Sequence, residues 1–108
     1  MRLISRSKES IDFKFVDKCV RTYLSYVKSL DLSLSEVSEL FRYSMCLKLG
    51  LTSKGYTERI EDLACDITDV LTPVFKDYNF DRCTESYKQG LLESCVHCME
   101  MSRKRIGV

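Results

Sequence analysis

The sequence has little of several residues on which common active sites depend. It contains one histidine, one proline, four glycines and no tryptophan. A single histidine leaves Ser-His-Asp and Cys-His catalysis with little to build on, because each needs an imidazole beside a nucleophile. The scattered glycines form no glycine-rich loop of the kind that cradles phosphate groups. We therefore predict a protein that is not an enzyme and that uses no cofactor and no metal.

Long apolar runs and a strong net charge are also absent. No stretch approaches the roughly 18 apolar residues of a membrane-spanning helix, and residues 1–10 lack the apolar centre of a signal peptide. We expect a cytoplasmic protein with no membrane partner, whose six cysteines are reduced thiols. The formal net charge of +1 creates no global field to steer nucleic acid or an anionic membrane.

The length and composition are those of one domain. With 108 residues, of which 44% are hydrophobic, the chain can bury a sizeable core. It has no repeat, low-complexity segment or linker, so we predict a single domain over residues 1–108, with residues 1–9 frayed. Its charges are uneven: residues 1–30 are mainly basic, the middle is acidic, and residues 103–105 are basic again.

The clearest helical pattern runs from Thr57 to Tyr78. Its apolar residues recur at i, i+3, i+4 and i+7, as on one face of an amphipathic helix. They are Ile60, Leu63, Ala64, Ile67, Leu71, Val74, Phe75 and Tyr78. Thr57 is a suitable N-cap. Pro73 predicts a kink rather than a break, because the apolar register continues on both sides of it.

Another helix is predicted to begin at Ser33, which forms a capping box with Glu36. Gly50 lies where a left-handed residue ends a helix, and Leu51 follows in position for a Schellman contact. The main apolar face consists of Val37, Leu40, Phe41, Met45 and Leu47. Apolar residues also occupy the far side, which is typical of a central helix or a subunit interface. A homodimer through this helix is therefore one alternative.

The last helix is predicted to follow a cap at Asn79 or Asp81. Its core face consists of Phe80, Cys83, Tyr87, Leu91, Cys95, Cys98 and Ser102. Gly90 lies at the edge of this face, where it would tolerate a close helix crossing. Cys95 and Cys98 have the spacing of a zinc or redox pair, but the second pair that zinc needs is missing. We predict that Cys83, Cys95 and Cys98 are buried, reduced and metal-free.

The segment at residues 11–16 is ambiguous. Apolar and polar residues alternate over residues 11–15, which is the period of a strand. In a helix, by contrast, Phe13 and Val16 would join the core and Phe15 would lie near its edge. We favour the helix, because a lone strand has nothing in this chain to pair with, and a short amino-terminal strand is the alternative.

Acidic residues gather on the third predicted helix, opposite its apolar stripe. This face comprises Glu58, Glu61, Asp62, Cys65, Asp66 and Asp69. Arg59 is the only basic residue there before Lys76, whereas a solvated helix usually mixes both signs. We predict that this face binds another protein with a basic surface. Its carboxylates disfavour a thiolate at Cys65, which indicates a partner-facing residue rather than a nucleophile.

The alternating segment at residues 11–15 is followed by a predicted helix and then by the run Ser38-Glu39-Leu40-Phe41-Arg42-Tyr43-Ser44-Met45. Residues 11–47 thereby resemble ribbon-helix-helix DNA-binding proteins, whose second helix often opens with Ser-Glu, two aliphatic residues and Arg. The resemblance implies a dimer whose paired strands enter the major groove. Ser10, Asp12 and Lys14 would then face the bases.

These patterns predict an all-α, four-helix, bundle-like domain whose short connections favour antiparallel neighbours. The function predicted first is that of a small cytoplasmic regulator or inhibitor, which binds another protein through its acidic helical face. The alternative is a dimeric transcriptional regulator of the ribbon-helix-helix type, which binds DNA.

Overall fold

The computed structural model describes residues 11–106, and this part of the chain forms four α-helices. They are α1 Phe13–Val27, α2 Leu34–Leu49, α3 Glu58–Phe75 and α4 Glu85–Ile106. Residues 11–106 contain no strand, so the all-α prediction is confirmed. None of these helices, over the described range, is long and apolar enough to cross a membrane. Ser10 and the predicted frayed end at residues 1–9 lie outside the described residues.

The helices pack as a four-cornered bundle. α1 packs against α3 and α4, and α2 packs against the same two helices. The pairs α1–α2 and α3–α4 make only weak contact, so they lie across the diagonals. The expectation that short connections join packed neighbours is therefore right only for α2 and α3. The connections at residues 28–33 and 76–84 are long enough to cross the bundle, at about 3.3–3.6 Å per residue.

α1 begins where Asp12 caps it. The Asp12 carboxylate accepts hydrogen bonds from the backbone amides of Lys14 and Phe15, at 3.0 and 3.2 Å. Residues 13–16 are thus helical, as favoured. Val16 is buried as expected, but the expectations for the two phenylalanines are wrong, since Phe13 is 68% exposed whereas Phe15 is fully buried.

Phe15 is buried because it is the centre of an aromatic cluster. Its ring centroid lies 4.9 Å from that of Phe75, 4.5 Å from that of Tyr78 and 5.3 Å from that of Phe80. Such edge and tilted contacts add to the stability that buried area provides. The partner rings belong to the end of α3 and the turn after it, so the periodicity of α1 contains no sign of them.

α2 has the predicted ends. Ser33 Oγ accepts a hydrogen bond from the Glu36 amide at 3.2 Å, and the Glu36 carboxylate accepts one from the Ser33 amide at 2.9 Å. Gly50 follows the helix in the left-handed region, with φ of 74°. The Leu51 amide then donates to the Cys46 carbonyl at 2.9 Å, which completes the predicted Schellman motif.

The buried side of α2 differs from the prediction near its end. Leu47 is 47% exposed, whereas Cys46 and Leu49 are buried. Leu47 lines an open cleft between α2 and the segment after α3, where none of the four described helices covers it. Ser44 is fully buried, and its hydroxyl has no hydrogen-bond partner among residues 11–106.

α3 runs without interruption although it contains Pro73. Thr57 caps it as predicted, because its hydroxyl accepts a hydrogen bond from the Ile60 amide at 3.2 Å. Pro73 lies in the last turn, so its missing amide leaves only the carbonyl of Asp69 without a helical donor. The buried stripe consists of Ile60, Ala64, Ile67, Leu71 and Phe75.

α4 starts later than predicted. The Thr84 hydroxyl accepts a hydrogen bond from the Tyr87 amide at 3.0 Å, so Thr84 caps the helix instead of Asn79 or Asp81. Asn79 forms a turn, in which its side chain accepts a hydrogen bond from the Asp81 amide at 2.9 Å. The predicted close crossing at Gly90 is wrong, because Gly90 is exposed and a Cβ there would meet nothing within 4 Å.

Polar contacts tie α2 to two other helices. The hydroxyl of Tyr23, buried in α1, donates to the Val37 carbonyl. The Arg42 guanidinium donates to both oxygens of Glu93 in α4, at 2.9 and 3.0 Å. These two hydrogen bonds hold the pKa of Glu93 below its ordinary value. Such bidentate pairs restrict orientation as well as distance.

Candidate functional site

The acidic residues predicted as a partner site all lie on the outer side of α3, away from its buried stripe. Each of them is exposed, and we call this set the acidic face: Glu58, Glu61, Asp62, Cys65, Asp66 and Asp69. At 1.5 Å per residue the face extends about 16 Å along the helix. It is therefore one continuous surface rather than a pocket.

Arg59, the only cation in this part of α3, is engaged elsewhere. Its guanidinium donates a hydrogen bond to the Asp31 carbonyl at 2.9 Å and lies 3.5 Å from the Glu36 carboxylate. Among residues 11–106, no carboxylate of the acidic face takes part in an ion pair. The negative charge of the face is thus uncompensated by the described neighbours.

The acidic face lowers the stability of the helix that carries it. Asp62 lies four residues from both Glu58 and Asp66, and Asp66 lies three residues before Asp69. Like charges at these spacings cost about 0.2–0.5 kcal/mol per pair. The helix dipole favours Glu58 and Glu61 in the first turn, but it falls off before the three aspartates.

Cys65 lies within the acidic face and is exposed. Its thiol donates a weak hydrogen bond to the Glu61 carbonyl, with 3.8 Å between sulfur and oxygen. The thiol thus contacts the backbone of its own helix, one turn before Cys65. Contact between Cys65 and a partner stays a prediction.

The residues of the DNA-binding alternative lie before and at the start of α1. Lys14 is exposed on the helix, and Asp12 is the N-cap. Ser10 lies outside the described residues. The ribbon-helix-helix resemblance stays a prediction.

Dimerisation through α2 also stays a prediction. Most apolar side chains of α2 are buried within the bundle, and the exposed ones are Leu34, at 58%, and Leu47. These two residues lie near opposite ends of the helix. They do not form one apolar stripe.

The predicted core thiols differ in burial. Cys95 is fully buried, but Cys83 and Cys98 are only half-buried, because Cys83 precedes α4 and Cys98 lies at the edge of its buried face. Interaction with the Cys95 thiol, together with burial, raises the pKa of the Cys19 thiol in α1. Over the described part of the chain, His, Cys, Asp and Glu side chains form no group of three suited to a metal.

A second feature, which sequence reasoning missed, is a cleft of about 290 Å³. We call it the aromatic cleft. Its walls are the rings of Phe15, Tyr78, Phe80 and Tyr87. Asp12 and Asn79 supply polar groups at its edge, and the buried side chain of Leu91 and the half-buried Cys83 complete the lining.

The Asp12 carboxylate faces both phenols of the aromatic cleft. Desolvation raises the pKa of Tyr78, and the negative charge of the nearby Asp12 carboxylate raises this pKa further. Desolvation, Cys83 and Asp12 raise the pKa of Tyr87. Both phenols therefore stay protonated at neutral pH.

Little in the sequence pointed to this cleft. Tyr78, Phe80 and Tyr87 all fit the apolar faces predicted for the last two helices, so they gave no separate signal of a cleft. Asp12 and Phe15 reach the cleft from the start of α1, more than sixty residues away in the chain. Comparison of the chain with protein-family models, with characterised proteins and with solved structures finds no match.

Proposed function

We propose that this protein is a small, non-enzymatic regulator or inhibitor that binds a basic surface of another protein through the acidic face of α3. The observation that carries the proposal is the uncompensated charge. Five exposed carboxylates share one helical face, and the single arginine among them pairs with Glu36 instead. A helix that exposes charge of one sign at a cost in stability is suited to binding a surface of the opposite charge.

Electrostatic complementarity would mainly affect the rate at which the two proteins associate. Negative charge concentrated on one face attracts a basic partner at long range and raises the association rate, and salt weakens this attraction. The face is narrow compared with the roughly 800 Å² that each partner contributes to a stable interface. A stable contact would therefore also need surface beyond the carboxylates, such as the exposed Thr72 and Pro73, which continue α3.

The proposal is tested by reversing charge on the face. Asp62→Lys combined with Asp66→Lys should leave the fold intact and abolish most capture of the partner from cell lysate. The matched control is Asp77→Lys combined with Asp81→Lys, which changes net charge equally at exposed residues after α3. The control should capture as much as the wild type.

Quantitative mass spectrometry of the captured proteins, at low and high salt, gives the readout. The wild type should retain a defined partner at low salt and lose it as salt rises. Equal capture by the wild type and the face variant would contradict the proposal. Equal loss in both double variants would show that net charge alone, rather than this face, governs capture.

A further inference from the structure

We propose that the outer side of α1 binds the phosphate backbone of a nucleic-acid duplex without reading its sequence. The binding surface, which we call the basic face, carries five exposed cations. They are Lys14, Lys18, Arg21 and Lys28, in and directly after α1, and Arg105 of α4. This face belongs to other helices than the acidic face, so the inference does not depend on the function proposed for α3.

The cations of α1 lie on one ridge of the helix. Positions 14, 18, 21 and 28 follow one another at intervals of four, three and seven residues. At about 100° per residue these positions fall within about 80° around the helix axis, and they extend about 21 Å along it. The buried side chains of α1, such as Val16, Cys19 and Tyr23, lie on the opposite side. The cations therefore form one continuous surface that faces solvent.

A groove between α1 and the end of α4 extends this surface. It has a volume of about 410 Å³, and Arg21, Lys28 and Arg105 line it from the two helices. Ser25 and Ser102 add a hydroxyl from each side. Arginine, lysine and serine are among the side chains that commonly donate to phosphate oxygens. The ridge thus continues into a concave surface with donors from two helices.

Little negative charge offsets these cations. Asp17 is the one carboxylate among the described residues that line the groove, and it pairs with Arg21 at 2.9 Å. Within residues 11–106, the other four cations of the face take part in no ion pair. Lys14 lies in the first turn of α1, where the helix dipole disfavours a cation. The dipole therefore does not account for the basic face, which is locally positive although the net charge of the chain is only +1.

The lining of the groove favours nucleic acid over a membrane or an acidic protein. Both of these partners bind stably through apolar or aromatic side chains in addition to charge. Val20 and Leu24 of the groove are buried in the core, and no aromatic residue of the described chain lines it. The exposed Phe13 lies about 100° around the helix from Lys14 and thus off the ridge. Sequence-independent binding to nucleic acid, by contrast, needs little more than lysine and arginine beside phosphates.

A duplex fits the basic face better than a single strand. Proteins that bind single strands stack the bases on aromatic side chains, and none lines this groove in the described part of the chain. A duplex presents its phosphates outside the stacked bases, so it needs no such ring. About 21 Å of duplex axis contains about six phosphates of each strand, which is comparable with the five cations of the face.

The first test measures the salt dependence of binding. Fluorescence anisotropy follows a labelled DNA duplex of about 20 base pairs as the full chain is added. If each of the five cations neutralises one phosphate, the logarithm of the association constant falls with the logarithm of salt concentration at a slope of about −4.5. Affinity should thus fall more than about a hundredfold between about 50 and 200 mM salt. A slope near zero, or no binding by millimolar protein at low salt, would overturn the proposal.

The second test places binding on the basic face. Lys18→Glu combined with Lys28→Glu should weaken duplex binding at low salt about a hundredfold or more, because two attractive contacts become repulsive. The matched control is Lys54→Glu combined with Lys76→Glu, which changes net charge equally at exposed lysines outside the face. The control should weaken binding less than about threefold, and circular dichroism confirms that both proteins are folded. Equal weakening in both would overturn the assignment to this face.

A milder variant tests the contribution of α4. Arg105→Gln removes one exposed cation near the end of the helix. It should make the salt slope less steep by about 1 and weaken binding to every duplex alike. An unchanged slope in the folded variant would show that the groove takes no part in binding.

Competition against the labelled duplex separates the possible polyanions. The competitors are RNA and DNA duplexes, single-stranded DNA of equal length, polyglutamate, and vesicles that contain phosphatidylserine. Strongest competition by one of the duplexes supports the proposal and identifies it as the source of the phosphates. Stronger competition by the single strand, by polyglutamate or by vesicles would overturn the proposal. A preference above about tenfold between two unrelated DNA duplexes would contradict backbone binding and favour the ribbon-helix-helix alternative, which reads bases.

Discussion

Reversing one charge on the acidic face should make the protein more stable. Asp62 repels Glu58 and Asp66, each four residues away on α3. Asp62→Lys converts both repulsive pairs into attractive ones, and each conversion amounts to about 0.4–1 kcal/mol at the usual strength of such pairs. Repulsion from Arg59 offsets part of this gain. We expect a net stabilisation of about 1 kcal/mol, or about 4 °C in Tm.

Asp17 offers a closely matched control. It occupies the fifth position of α1, as Asp62 does in α3, and it is likewise exposed. It pairs with Arg21 at 2.9 Å. Asp17→Lys therefore makes the same change in net charge and helix propensity, but it replaces attraction by repulsion, and should destabilise by about 1 kcal/mol.

Urea unfolding of both variants, at low salt and at about 1 M salt, measures the effect. The free energies of unfolding of the two variants should differ by about 2 kcal/mol at low salt. This difference should shrink at high salt, where exposed charges are screened. If both variants changed the free energy of unfolding by the same amount at each salt concentration, the reasoning would be refuted. That result would show that the acidic face carries no local repulsion.

Three further outcomes follow from the packing. Gly90→Ala should stabilise by about 0.5–1 kcal/mol, since the residue is helical, exposed and free of close neighbours; thermal unfolding would show it. Ser44→Ala should stabilise by about 1 kcal/mol, because it removes a buried hydroxyl that has no partner in the described part of the chain; a loss of stability in urea would contradict this. Phe15→Asp should abolish folding, whereas Phe13→Asp should change stability by less than about 0.5 kcal/mol; circular dichroism of both proteins separates them.

Local patterns were enough to predict the four helices and several of their ends. The capping box at Ser33, the cap at Thr57 and the left-handed Gly50 each depend on residues a few positions apart. The stripe of α3 is equally local, because one side of that helix faces the core. At these positions the residues that form the contacts are close together in the sequence, so the local pattern is enough to predict the structure.

Predictions failed where burial depends on distant partners. Phe15 is buried by rings from the end of α3 and the turn after it, so the α1 stripe alone placed it at the edge. Leu47 is exposed because none of the helices within residues 11–106 covers it at the end of α2. Thr84 caps α4 because Asn79 is used in a turn instead. The aromatic cleft was missed for the same reason, since Asp12 and Tyr78 meet only in the folded chain.

The most direct test of the central claim is the salt dependence of association with the captured partner. Stopped-flow mixing should give a wild-type association rate that falls about tenfold or more between low salt and about 0.3 M. The Asp62→Lys, Asp66→Lys variant should have a lower association rate at low salt, and this rate should vary little with salt. The association rate of the Asp77→Lys, Asp81→Lys control should fall with salt as that of the wild type does. An association rate that is independent of salt in the wild type, or unchanged in the face variant, would contradict binding through the acidic face.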